Sequence, residues 1–445
     1  MSEISLSKAG LSPPPVGERE NLYASLGPGL ITGAADDDPS GIATYSQVGA
    51  QFGFGWTMLF SFPLMAAIQE ICARLGRITG MGVAANLAKC YPKTVVRGLV
   101  FLLCVANIFN LGADVAAMAA AFQLLVGGKL LLYAIFFGGV SLLLQVYVPY
   151  RIYVRYLKWL TWALFAFVVH VPWTHALRST LVPSVSLDPE YLMALIAVLG
   201  TTISPYLFFW QTSQEVEDVR INKHESPLRK KPYQAWGQFR RIAFDTRVGM
   251  AFSNIVAFFI ILTTAATLHA GNAGVRIRTA ADAAKALQPL AGRFASLLFA
   301  LGIIGTGMLA IPVLAGSAAY AVSELFGWRA SLESKPRNAR KFYYVLSGAT
   351  ILGVCLNFVG IDPIRALFLS AVINGIVAVP LMFLLMLISE KRAIVGKFVL
   401  PPYLRVVGWI ATGVMLIASL GFLITALHQS LARLRWLAEI LRQHL

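Results

Sequence analysis

The chain has 445 residues, of which 57% are hydrophobic and only 13% charged, and its mean hydropathy is +0.69. That balance excludes disorder, a collagen-like repeat and a disulfide scaffold, and it leaves too little charge to clothe a soluble globule. The excess of 37 Lys and Arg over 21 Asp and Glu could suggest nucleic acid in a soluble chain, but in a polytopic membrane protein it is an orientation signal, and no nucleic-acid partner is expected.

In chain order, residues 1–26 are polar and Pro-rich, with Pro13, Pro14 and Pro15 in a row. They read as a flexible cytoplasmic tail, not a cleaved signal, because no apolar core precedes a small-residue cleavage site. A bilayer core takes about 20 apolar residues per helix, and the hydropathy predicts eleven spans within a transporter domain at 27–428. Spans 1–5 fall at 28–49, 55–75, 98–125, 130–149 and 156–176. Spans 6–10 fall at 191–213, 247–270, 294–324, 341–359 and 365–389, and span 11 at 404–428. Residues 429–445 form an amphipathic tail expected to lie in the interface. Most Lys and Arg collect on the side of the N-terminus, which places that end in the cytoplasm and, with an odd span count, the C-terminus outside. The four cysteines lack CxxC spacing, so neither a disulfide framework nor a metal cluster follows.

Two spans break the pattern. Span 1, GPGLITGAADDDPSGIATYSQVGAQ, carries Asp36, Asp37, Asp38, Pro39 and Gly41 near its middle. Each intramembrane carboxylate costs about 2.5–3.5 kcal/mol on insertion scales, and Pro39 with Gly41 interrupts the hydrogen-bond ladder. Backbone freed at that depth is tolerated only where protein or a watery cavity satisfies it. Span 6, GTTISPYLFFWQTSQE, places Thr201, Thr202, Ser204 and Pro205 in the same position. Two broken helices five spans apart fit an inverted 5+5 repeat with the substrate between the breaks.

Carboxylates, hydroxyls and carbonyls without Cys, His or Met make a hard-oxygen site, suited to Mg²⁺, Mn²⁺ or Ca²⁺. Asp38, beside the break, is the first choice of ligand. Asp36 and Asp37 are expected to line an aqueous vestibule. Thr201 and Ser204, three apart and therefore on one helix face, either contact the ion or bond a helix carbonyl. Asp114 in span 3 is a second intramembrane acid, and Asn374 in span 10 is either interhelical glue or a site contact. Glu70 and Arg74 read as an ion pair on a helix surface, and Glu215, Glu217 and Asp218 as a solvated helix end.

GPGLITGAADDDPSGIAT resembles the first helix of Nramp-type divalent metal transporters, whose hallmark there is Asp-Pro-Gly-Asn. QEICARLGRITG resembles the family's second helix, and GTTISPY stands in the place of its Ala-x-x-Met-Pro-His segment. The resemblance runs from about residue 27 to 428. It implies an all-α polytopic membrane protein with the LeuT-type inverted repeat, eleven transmembrane helices and helices 1 and 6 broken. It also implies a bacterial inner-membrane location, with a divalent cation as cargo, the lipid bilayer as setting, no resident cofactor, no obligatory protein partner and no enzymatic activity.

The metal positions implied are Asp38, Gly41, Thr201 and Ser204, with Asp36, Asp37, Asp114, Tyr206 and Asn374 behind them. Gly41 stands where the family has its binding Asn, and Ser204 where it has a methionine; losing a thioether points toward Mg²⁺. Tyr206 replaces a histidine, and Ala117 the Glu of an Asp-x-x-Glu pattern. Both lost groups belong to the family's proton route. A tyrosine, with a reference pKa of about 10, cannot replace histidine in a relay at neutral pH. This pattern is similar to the Nramp-related magnesium transporters, and the expectation is uptake of Mg²⁺ and Mn²⁺ without proton coupling. The alternatives are a proton-coupled Mn²⁺/Fe²⁺ transporter of the same family and a cation-coupled organic-solute transporter of the same fold.

Overall fold

Prolines set where many of the helices begin. In a computed structural model, which describes residues 27–53, 61–148, 188–222, 224–269 and 276–443, span 1 is two helices, α1 (Pro28–Asp36) and α2 (Pro39–Phe52). They are followed by α3 (Ser61–Thr79), the short α4 (Val83–Ala88), α5 (Lys93–Val126) and α6 (Leu130–Tyr147). Span 6 is again two helices, α7 (Pro189–Thr202) and α8 (Pro205–Ile221). Then come α9 (Ala235–Thr264), a short α10 (Ala280–Lys285), α11 (Ala295–Phe326), α12 (Arg340–Leu356), α13 (Pro363–Glu390) and α14 (Pro402–Gln443). Proline suits the first helical position, where its missing N–H has no partner to lose.

A proline disfavours the helical region for the residue before it; Pro312 and Pro380 are accommodated inside continuous helices, but at Pro39 and Pro205 the chain leaves the helix. Asp38 is extended at φ −68°, ψ 169°, and Ser204 at φ −76°, ψ 133°. Asp37 (ψ 49°) and Ile203 (ψ 55°) have already left the helix.

Every regular element among the described residues is helical, and eight helical stretches among them, α7 with α8 counting as one, are long and apolar enough to cross a membrane. Helices stand at each expected span but the fifth, which lies outside the described residues, as do the N-terminal tail and the start of span 2. At the C-terminus α14 runs to Gln443 without a break, so the backbone of residues 429–443 continues the last span as helix.

The packing pairs the two halves. The α2·α9 contact of spans 1 and 7 is matched by α8·α3 of spans 6 and 2, and the α5·α6 pair by α11·α12. Exchanging spans 1–5 with 6–10 maps each pair onto the other, as an inverted repeat requires. Where α1 crosses α9 the main chains touch: a Cβ on Gly33 would lie 2.1 Å from the Gly249 carbonyl oxygen, and one on Gly249 2.1 Å from that of Gly29. Only glycine permits that approach.

Candidate metal site

The two breaks face each other across the middle of the fold. Asp38 caps α2 from its first position, Oδ1 accepting from the Gly41 amide at 2.8 Å and the Ser40 hydroxyl at 2.6 Å. The cap restores locally what the interrupted ladder withholds. Its other oxygen, Oδ2, accepts from Asn110 Nδ2 on α5 at 3.0 Å and from the Tyr206 hydroxyl on α8 at 3.3 Å. Tyr206 also reaches the Ala35 carbonyl at 3.1 Å, so the first turn of α8 is clasped to the C-terminal end of α1. All of these groups are buried.

Gly41 lies between the breaks, where an added Cβ would meet Thr201 Oγ1 at 3.2 Å and the Asp36 carbonyl oxygen at 3.4 Å. Thr201 therefore faces the site. Ser204 does not share its face, because the helix ends between the two residues; the Ser204 hydroxyl turns back onto the carbonyls of Gly200 and Thr201 at 2.6 and 2.9 Å.

Asp36 and Asp37 are not in a vestibule. They are fully buried on the α9 side of the break and share Ser253, whose hydroxyl lies 2.5 Å from Asp36 Oδ2 and 3.1 Å from Asp37 Oδ1. Asp114, one turn beyond Asn110 on α5, is fully buried, with no hydrogen-bond partner for either carboxylate oxygen among the described residues. Asn374 is buried on α13, with no hydrogen-bond partner for its amide among the described residues. It lies one turn from Ser370, whose hydroxyl donates to Asn110 Oδ1 at 2.9 Å. Among the described residues no group of three or more His, Cys, Asp or Glu could hold a metal ion. An ion at Asp38 would complete its shell with hydroxyl, carbonyl, amide or water oxygens.

Sequence reasoning missed several residues that shape this region. Asn110 meets Asp38, and Ser370 meets Asn110, only through the tertiary fold. Asp245 on α9 accepts from the amides of Gly27, Gly29 and Leu30 at 2.9, 2.7 and 3.1 Å, so the start of α1 is capped by another helix. A carboxylate at a helix N-terminus is also favoured by the helix dipole.

The two ends of the site differ. At one, Arg77 on α3 pairs with Glu225 and lies 3.8 Å from Glu215 on α8, which Arg241 of α9 holds at 2.6 Å. Glu217 accepts from the Tyr320 hydroxyl and, at 3.0 Å, from the Leu332 amide. This corrects the solvated-end reading: Glu215 and Glu217 are buried and lock α8 to its neighbours. Glu70 and Arg74 do pair, at 3.0 Å, but in the interior, where Arg247 and Tyr403 also reach Glu70. At the opposite end a cavity of about 840 Å³ is lined by Gln47, Gln51, Glu190, Arg276, Asp362 and Arg365 among others.

The family described as Nramp, natural resistance-associated macrophage protein-like, matches residues 29–425. The chain is 24% identical to the divalent metal cation transporter MntH of Caldanaerobacter subterraneus subsp. tengcongensis, with 92% of this chain and 96% of the relative aligned. It is 25% identical to MntH of Klebsiella pneumoniae strain 342, with 89% and 93% aligned. Its fold is similar to the crystal structure of the Eremococcus coleocola manganese transporter, at a TM-score of 0.70 and 17% identity over 93% of this chain and 88% of that one. It is also similar to Mhp1, a nucleobase-cation-symport-1 family transporter in a closed conformation, at a TM-score of 0.52 and 14% identity over 94% of each chain.

Proposed function

The chain belongs to the Nramp family, and from that premise we propose that it moves divalent metal cations, Mg²⁺ and Mn²⁺, across the bacterial inner membrane by alternating access, without a coupled proton. The observation that carries the reading is Asp38: a buried carboxylate at the break of α1 and α2, clasped by the first turn of α8 at the second break. Half-helices meeting at mid-depth supply the partial charges and free carbonyls that a desolvated ion needs.

The oxygen-only surroundings support a hard cation over a soft one. Asp38 and Thr201 are the proposed contacts, Gly41 leaves the room, and Ser204 contributes by its lone pairs, its proton being held by backbone carbonyls. Asp36, Asp37 and Asp114 supply negative potential around the ion. With the N-terminus in the cytoplasm, the Glu190 cavity is the outer mouth and the Arg77–Glu215–Arg241 cluster closes the inner one, a state that admits metal from outside. The membrane potential suffices as driving force, since two charges falling through about 100 mV release roughly 4.6 kcal/mol.

A proton-coupled Mn²⁺/Fe²⁺ reading has one observation in its favour, Asp114, a buried acid one helical turn from Asn110. Proteoliposome uptake separates the readings. Asp38→Ala is expected to abolish Mg²⁺ and Mn²⁺ uptake, and the lumen is expected to hold its pH while metal enters. Uptake that survives Asp38→Ala refutes the site, and acidification in step with metal refutes the uncoupled mechanism.

A further inference from the structure

We infer that Asn110 is a metal-facing residue of the Asp38 site, its amide reversing to present Oδ1 when a cation arrives; the inference rests on Asp38 as the seat of the ion. Asp38 Oδ1 is fixed by a backbone amide and the nearby Ser40 hydroxyl, whereas among the described residues Oδ2 meets two side chains from other helices, Asn110 and Tyr206. A cation approaching Oδ2 therefore encounters groups that can move. Asn110 points an N–H at the carboxylate, and the Tyr206 hydroxyl has one proton for either the carboxylate at 3.3 Å or the Ala35 carbonyl at 3.1 Å; an N–H or O–H aimed at a cation repels it.

Each of the two has a second arrangement built in. The oxygen and nitrogen of an Asn amide are nearly the same size, so a half-turn of the amide plane exchanges acceptor for donor with little change in packing. After that turn Oδ1 faces the ion, and Nδ2 faces the Ser370 hydroxyl. Ser370 accommodates both states because its oxygen lies 2.9 Å from Asn110 Oδ1 and 2.7 Å from the Leu367 carbonyl. Without the ion its proton goes to Asn110; with the ion it goes to Leu367, and a lone pair receives Nδ2–H. Neither state leaves a buried orphan, which would cost about 1–3 kcal/mol. Tyr206 does the same with the Ala35 carbonyl at 3.1 Å, which can take its proton and leave a phenol lone pair toward the ion.

The geometry also explains why the amide comes from α5. Gly41 on α2 carries no side chain, and even a Cβ there would press on Thr201 Oγ1 at 3.2 Å. A carboxamide oxygen from the buried Asn110 adds a neutral hard donor, of the kind Mg²⁺ and Mn²⁺ accept. Ser370 is its positioning residue.

The test uses the full chain in proteoliposomes with Mg²⁺ or Mn²⁺ as sole cargo, together with the metal-induced rise in melting temperature as a binding readout independent of turnover. Asn110→Leu is expected to raise KM about tenfold or more for both ions and to shrink the metal-induced rise. Asn110→Asp, which keeps an oxygen toward the site, is expected to retain uptake. Ser370→Ala is expected to weaken both readouts and Ser370→Thr to restore them, a rescue that a purely structural serine would not produce for metal affinity alone. If Asn110→Leu keeps native KM and native metal-induced stabilisation while Asp38→Asn loses both, the inference about Asn110 falls and the Asp38 reading stands. If Asp38→Asn also keeps both, the two fall together. Should Asn110→Leu not fold, the Ser370 pair decides: equal affinities for Ala and Thr overturn the proposal.

Discussion

Substituting Gly249 by alanine should drive α1 away from α9. The new methyl carbon would lie 2.1 Å from the Gly29 carbonyl oxygen, and ordinary van der Waals contact begins near 3.4 Å. Both partners are main chain, so no rotamer change relieves the clash, and the helices must part by about 1 Å or more. Overpacking of this kind costs roughly 1–3 kcal/mol. The separation also strains the three amide bonds to Asp245, now at 2.7–3.1 Å, toward the roughly 3.5 Å limit beyond which they contribute little. A total near 3 kcal/mol follows. The assay is thermal unfolding of the purified protein, with Gly413→Ala as the matched control: that glycine lies on α14, and a Cβ there meets nothing within 4 Å. The control should melt at or slightly above the native temperature, since alanine favours a helix by roughly 0.5–1 kcal/mol over glycine. Equal melting of Gly249→Ala, Gly413→Ala and native protein, with unchanged uptake, would refute the main-chain contact and the packing argument built on it.

Asp245→Ala should destabilise the protein by about 1–2 kcal/mol through loss of the α1 cap, and Asp245→Asn by less; unfolding in denaturant checks both. Tyr206→Phe removes one donor from Asp38 and the clasp on Ala35, so KM for Mn²⁺ should change several-fold while uptake persists, read by initial-rate flux. Arg241→Met leaves the buried Glu215 carboxylate poorly paired, and a cysteine placed at Ser213 should then react faster with a membrane-impermeant thiol reagent applied from the Arg77 end than it does with Arg241 intact. Reversing the exposed Arg276–Glu190 pair should move stability by no more than about 1 kcal/mol, because solvent screens it.

The breaks were legible because part of their cause is local: a proline biases its predecessor out of the helix, and Asp38 and Ser204, set among polar residues, follow, whereas Pro312 and Pro380, in apolar runs, stay inside continuous helices. Asp38 was legible because an acid at membrane depth demands a reason. The carboxylate's partners were not. Asn110 lies 72 positions from Asp38, and Ser370 a further 260; in the sequence each is one of a few polar residues in an apolar helix, indistinguishable from interhelical glue. Ser204 was placed on the face of Thr201 by a rule for continuous helices, which fails where the helix stops between them. Glu215 and Glu217 resembled a wet helix end because charge density does not reveal that Arg77, Arg241 and Tyr320 arrive from elsewhere to bury them.

The unbroken α14 has a consequence for anything that approaches the mouth. Its 42 residues make a rod of about 63 Å at about 1.5 Å per residue, roughly twice the hydrocarbon thickness of about 30 Å. Begun near Tyr403, beside Glu70, and passing Gly421 against Leu192 near the Glu190 cavity, a straight rod overshoots the membrane on the side of the vestibule. Whatever approaches the opening from that side shares the space with the projecting end of this helix.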